Sequence, residues 1–77
     1  MMQVKMPQIG MTMMMGTITK WFYNEGDMVT QGQPLYEFET EKTTNEIEAP
    51  VSGVLHIVAK VDEDIDCGNL VAEITEA

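Results

Sequence analysis

The chain has 77 residues, enough for one domain and close to the smallest size that folds without staples. Its single cysteine, Cys67, excludes an internal disulfide framework, and no apolar run approaches the roughly 18 residues of a membrane span. Thirteen acidic residues against four lysines give a net charge of −9, which argues against nucleic-acid binding and suits either plain solubility or attraction to basic partner surfaces.

Met1-Met2-Gln3-Val4-Lys5 leads straight into patterned sequence, with no charged leader followed by an apolar stretch. The expectation is a cytoplasmic, bacterial location ahead of a mitochondrial-matrix one, with no membrane association. Short segments rich in Val, Ile, Thr and aromatics, punctuated by Gly and Pro, read as strands. The predicted strands are Val4 to Met6, Thr17 to Tyr23, Met28 to Val29, Leu35 to Thr40, Glu46 to Ala49, Gly53 to Lys60, Ile65 to Asp66 and Val71 to Thr75. Between the first two lies the methionine-rich stretch Gln8 to Gly16. Its side chains suit an adaptable recognition surface or the filling of a barrel edge. Trp21 and Phe22 are expected in the core, and Cys67 as a small buried hydrophobe. His56 has no second ligand at metal spacing, so no metal site is expected. No nucleophile and base pair suggests an active site, and the chain is not expected to be an enzyme in itself.

The chain repeats itself. A shift of 36 places Val29 on Ile65, Gly32 on Gly68, Leu35 on Val71, Glu37 on Glu73 and Phe38 on Ile74. Gly16 meets Gly53 only at a shift of 37, which predicts one extra residue, a bulge, in one of the strands. Gly26 falls on Asp62, one of the few residues besides glycine that tolerate positive φ. Two halves with the same turns and core positions imply an all-β domain over residues 1–77, with two similar sheets related by a pseudo-two-fold axis.

Between the halves runs a hairpin pattern. Tyr36, Phe38 and Thr40 alternate with Glu37, Glu39 and Glu41; beyond Lys42, Ile47 and Ala49 alternate with Glu46 and Glu48. Phe38 and Ile47 lie almost equally far from the centre, so the chain should reverse near Glu41-Lys42-Thr43. Lys42 is the only base among five glutamates in this stretch. A lysine at a tip offers a flexible stem that can carry a covalent group and that a modifying enzyme can reach. Its amine, with an ordinary pKa of about 10.4, must lose a proton before forming an amide.

At this point the sequence resembles a known family. Met6-Pro7, Gly16-Thr17-Ile18, Trp21, Gly26-Asp27-Met28-Val29, Gly32-Gln33-Pro34-Leu35, Glu39-Thr40-Glu41-Lys42-Thr43, Glu46-Ile47-Glu48-Ala49-Pro50, Gly53 and Gly68 follow the pattern of lipoyl domains of 2-oxo acid dehydrogenase complexes. The resemblance implies a flattened β-barrel or sandwich of two four-stranded antiparallel sheets. Its modified lysine lies at one end and both termini at the other. It implies lipoate in amide linkage on Lys42, acting as a swinging arm among a thiamine-diphosphate decarboxylase, an acyltransferase core and a dihydrolipoamide dehydrogenase. A lipoate ligase or lipoyl transferase would load it. The resemblance also assigns recognition by ligase or partner to Glu39, Glu41, Thr43 and the loop residues Gly10, Met11, Thr12 and Met13. Glu41 and Thr43 replace the family's usual Asp and Ala but keep an acid before the lysine and a small side chain after it. Together with Thr44 and Asn45 they lean toward acetoin-type or branched-chain-type complexes. A biotin carrier shares the fold but places Met on both sides of its lysine; an unmodified interaction module would leave Lys42 unexplained. The acyl substrate, and whether the domain stands alone or belongs to a longer acyltransferase, stay open.

Overall fold

The computed structural model describes residues 1–8, 14–40 and 43–76. Eight strands form: β1 (Met2–Lys5), β2 (Met15–Trp21), β3 (Met28–Val29), β4 (Pro34–Glu39), β5 (Thr44–Glu48), β6 (Gly53–Ile57), β7 (Asp64–Asp66) and β8 (Leu70–Glu76). They build two antiparallel four-stranded sheets, ordered β1-β8-β6-β3 and β5-β4-β2-β7, and no helix occurs among the described residues. Every predicted strand is present. The largest boundary difference is in β6, which ends at Ile57 rather than Lys60. There the chain leaves the sheet, and the amides of Val58 and Ala59 both turn to the carbonyl of Val71.

The pseudo-two-fold relation is real at the level of single hydrogen bonds. Gly26 donates to the Leu55 carbonyl at 2.8 Å, and its counterpart Asp62 donates to the Ile18 carbonyl at 2.7 Å. Phe22 to Leu35 is matched by Val58 to Val71, and Gly32 to Ala49 by Gly68 to Met6. The side chain of Asp27 accepts from Asn24 N–H as that of Glu63 accepts from Lys60 N–H. Asp62 adopts φ of 70°, alongside glycines at 86° to 90°, so the substitution in the repeat keeps the turn's backbone. The extra residue is found where the shift changes. Ile18 faces Phe38 and Lys20 faces Glu37, leaving Thr19 as a bulge. Its hydroxyl bonds to the carbonyl and carboxylate of Glu37.

The core follows the same pairing. Val29 and Ile65, Leu35 and Val71, Phe38 and Ile74, Ile18 and Leu55 are buried between the sheets, joined by Tyr36, Met6, Ala49 and Ala72. Alternation turns most of these side chains inward and the glutamates outward, but it is broken at Leu35-Tyr36 and Val71-Ala72, where two successive residues are buried. Trp21 is only partly buried. It packs at 5.1 Å, ring to ring, on Tyr36, and its indole N–H donates to Ala59 O at 2.9 Å. Two expectations need correction. Phe22 is 36% exposed, because the odd residue of the bulge turns it outward beside Lys20, whose ammonium sits 4.9 Å from its ring. Cys67 is half-buried rather than buried, against the core rim with its thiol 3.8 Å from Pro7 O.

Candidate functional site

The hairpin of β4 and β5 projects from the second sheet. Its register pairs Tyr36 with Ile47, Glu37 with Glu46, Phe38 with Asn45 and Glu39 with Thr44. Ile47 therefore faces Tyr36, not Phe38. The register irregularity between Pro34 and Tyr36 lies at the end of the pair away from the reversal, and from Tyr36 on the pairing runs unbroken to Glu39 and Thr44. Thr40 N–H donates to the carbonyl of Thr43 at 2.8 Å, closing the last described pair. The chain reverses between these two threonines, and Glu41 and Lys42 are the two residues that join them. Both lie outside the described residues, as do Gly10, Met11, Thr12 and Met13.

Where the reversal falls in the barrel follows from the strands. β5 runs away from it to Ala49, Pro50 leads into β6, and Gly53 at the start of β6 pairs with Glu76 near the C-terminus. β1 lies beside β8, with Met2 opposite Ile74. The hairpin thus closes one end of a body 35 × 19 × 19 Å across, and the termini gather at the other.

Three side chains close the tip. Thr43 Oγ1 lies 3.0 Å from Thr40 Oγ1 and accepts from Asn45 Nδ2 at 3.0 Å, while the Thr40 hydroxyl reaches the Thr43 carbonyl at 3.4 Å. These residues continue the face that carries Phe38 and Ile47, so the inward face turns polar where it leaves the barrel. Thr43 was expected at the site. Thr40 and Asn45 were read as part of the hairpin motif but given no role at the site, although two threonines flanking a two-residue gap were there to be noticed.

The outer face of the same sheet is acidic. Glu39 is exposed at the end of β4, between Thr44 and Thr17. Glu37, Glu46, Glu48, Asp64 and Asp66 share that face, and Asp64 accepts from the Thr17 hydroxyl at 2.6 Å. His56 belongs to the other sheet, its ring nitrogens meeting Glu25 and Thr75 at 3.2 and 3.1 Å.

A family model described as biotin-requiring enzyme, covering biotin and lipoyl domains, matches residues 2–74. This chain belongs to that family. Within it, the similarity is to lipoyl domains of acyltransferase components. The chain is 43% identical over 75 residues, 96% of its length, to the dihydrolipoyllysine-residue acetyltransferase component of the pyruvate dehydrogenase complex from Corynebacterium glutamicum. It is 40% identical over 72 residues, 92% of its length, to the corresponding component of the acetoin cleaving system of Pseudomonas putida. The matched stretches make up only 11% and 20% of those two proteins. A solved lipoyl domain from the 2-oxoglutarate dehydrogenase complex of Azotobacter vinelandii superposes with a TM-score of 0.82 at 26% identity, covering 99% of this chain and 98% of that one. The resemblance drawn from the Gly, Trp and Glu-Thr-Glu-Lys motifs, and the barrel of two four-stranded sheets it implied, are both correct.

Proposed function

We propose that this chain is a lipoyl carrier domain with lipoate held in amide linkage on Lys42. On this reading, the arm carries acyl groups and reducing equivalents between a thiamine-diphosphate decarboxylase, an acyltransferase core and a dihydrolipoamide dehydrogenase, in a 2-oxo acid or acetoin dehydrogenase complex. The supporting observation is the bond from Thr40 N–H to the Thr43 carbonyl at the closed end of the barrel. It leaves two residues to turn the chain, one of them the hairpin's single lysine, opposite the end where the termini connect to anything larger.

The domain contributes position rather than chemistry. A tethered group searches a small volume at high effective concentration instead of diffusing freely among sites. The rigid pairing of β4 with β5 holds the stem's base, and the acidic sheet face supplies a surface for partner selection. Glu39, Glu41, Thr43 and the loop residues Gly10, Met11, Thr12 and Met13 are proposed as the surface that ligase and decarboxylase read. The parent protein would be an acyltransferase, as in the relatives from Corynebacterium and Pseudomonas.

Because the family includes biotin carriers, the test needs two arms. The protein is incubated with lipoate, ATP and a lipoate ligase, and separately with biotin, ATP and a biotin ligase. Intact mass is then measured. One lipoyl increment, absent from Lys42→Arg, is expected. A biotinyl increment alone, or no increment in either arm, would reject the proposal.

A further inference from the structure

We infer that Thr40, Thr43 and Asn45 form a polar clasp that positions the turn for the enzyme that loads Lys42. The inference rests on the carrier reading and adds to it a positioning role for Thr40 and Asn45, the second of them outside the attachment motif. Its basis is a complete hydrogen-bond chain. Asn45 Nδ2–H donates to Thr43 Oγ1, the Thr43 hydroxyl donates to Thr40 Oγ1, and the Thr40 hydroxyl donates to the Thr43 carbonyl. Each hydroxyl gives one bond and accepts one, so the chain is satisfied in a single sense.

The placement gives this chain its use. Beyond the buried Phe38, the inward face of the hairpin continues as half-buried Thr40 and Asn45 and exposed Thr43. Backbone pairing alone would leave the tip free to fray, as hairpin ends do. The clasp ties both strands together on either side of Glu41-Lys42, at the last point before the turn. It supplies no stability to the barrel core, whose members all lie further back. It narrows the conformations from which a ligase must select. Where only a fraction of conformers is competent, the apparent affinity falls by that fraction, which appears in KM and leaves kcat alone.

The test compares Thr43→Val, which keeps the branched shape and removes the hydroxyl, with Thr43→Ser, which restores it, and with Asn45→Ala. Lipoate ligase kinetics are measured by mass, with the Lys42 amide followed by ¹⁵N relaxation in the unmodified protein. Two lost surface hydrogen bonds should raise KM by about three- to ten-fold at unchanged kcat in Thr43→Val. Asn45→Ala should show a smaller rise and Thr43→Ser a near-parental value, with Tm within a few degrees throughout. The Lys42 amide should gain fast motion in the order of the KM values. A direct ligase contact to the Thr43 hydroxyl predicts instead that Asn45→Ala loads like the parent, which would overturn the clasp. So would Thr43→Val loading at the parental KM with parental relaxation. A parent that gains no lipoyl increment overturns the carrier reading and the loading role together.

Discussion

Among the described residues the buried hydroxyl of Tyr36 meets no hydrogen-bond partner, and its removal should stabilise the protein. The ring is fully enclosed between Trp21, at 5.1 Å, and Phe38, at 6.1 Å, and Tyr36→Phe keeps both contacts. An unsatisfied buried hydroxyl costs about 1–3 kcal/mol of lost hydration. The void left by one oxygen, about 10 Å³ at about 24 cal/mol per Å³, returns only about 0.2 kcal/mol. The net gain should be about 1–3 kcal/mol, with Tm rising about 4–8 °C for each kcal/mol in a domain of this size. Urea and thermal unfolding of both proteins at pH 7 measure it.

Alkaline pH gives an independent check. Burial raises the Tyr36 pKa from 10.0 to about 12. The folded state therefore disfavours the phenolate. Stability from this group is whole below pH 10, is lost as pH rises from about 10 to 12, and is constant above that. The difference between parent and Tyr36→Phe isolates it from Tyr23 and the lysines, so the variant's advantage should widen over that range. A variant less stable than the parent by 1 kcal/mol or more at pH 7 would mean that the hydroxyl is bonded, and would refute the reasoning.

Three further substitutions test the fold's symmetry and closest packing. A Cβ on Gly53 would collide with Thr75 O and lie 2.8 Å from Thr75 C, both backbone atoms of the paired strand β8. Gly53→Ala should therefore lower stability by about 2–3 kcal/mol, read from the urea midpoint; a loss below about 0.5 kcal/mol would contradict this packing. Gly32 and Gly68 occupy equivalent turns at φ of 87° and 90° with open space around a Cβ. Gly32→Ala and Gly68→Ala should thus cost only the backbone term, about 1–2 kcal/mol each and nearly equal. Strongly unequal losses would show that the two halves are not energetically alike.

Much of this architecture was legible because one half of the chain explains the other. The superposition of Gly32 on Gly68 and Leu35 on Val71 carried the turns and the core together. The change of shift at Gly16 and Gly53 announced one extra residue, and the structure places it at Thr19. Alternation gave the hairpin's faces and a reversal near Glu41-Lys42-Thr43 but no exact register; in the structure Ile47 lies opposite Tyr36 and Phe38 opposite Asn45. Phe22 was misassigned for a related reason: hydrophobicity says that a ring gains by burial, but the bulge decides which way it points. At the tip, composition marked Lys42 by its isolation among glutamates. The bonds of Thr40 and Asn45 to Thr43 depend on side-chain reach across the strands, which no residue-by-residue pattern encodes.

The central claim is that one amine among the four lysines of this chain accepts the cargo. Fragment-ion mapping of the ligase-treated protein tests it most directly. The lipoyl group should be confined to the peptide containing Lys42, with Lys5, Lys20 and Lys60 unmodified. A lipoyl group found on any of those three in place of Lys42 would contradict the account.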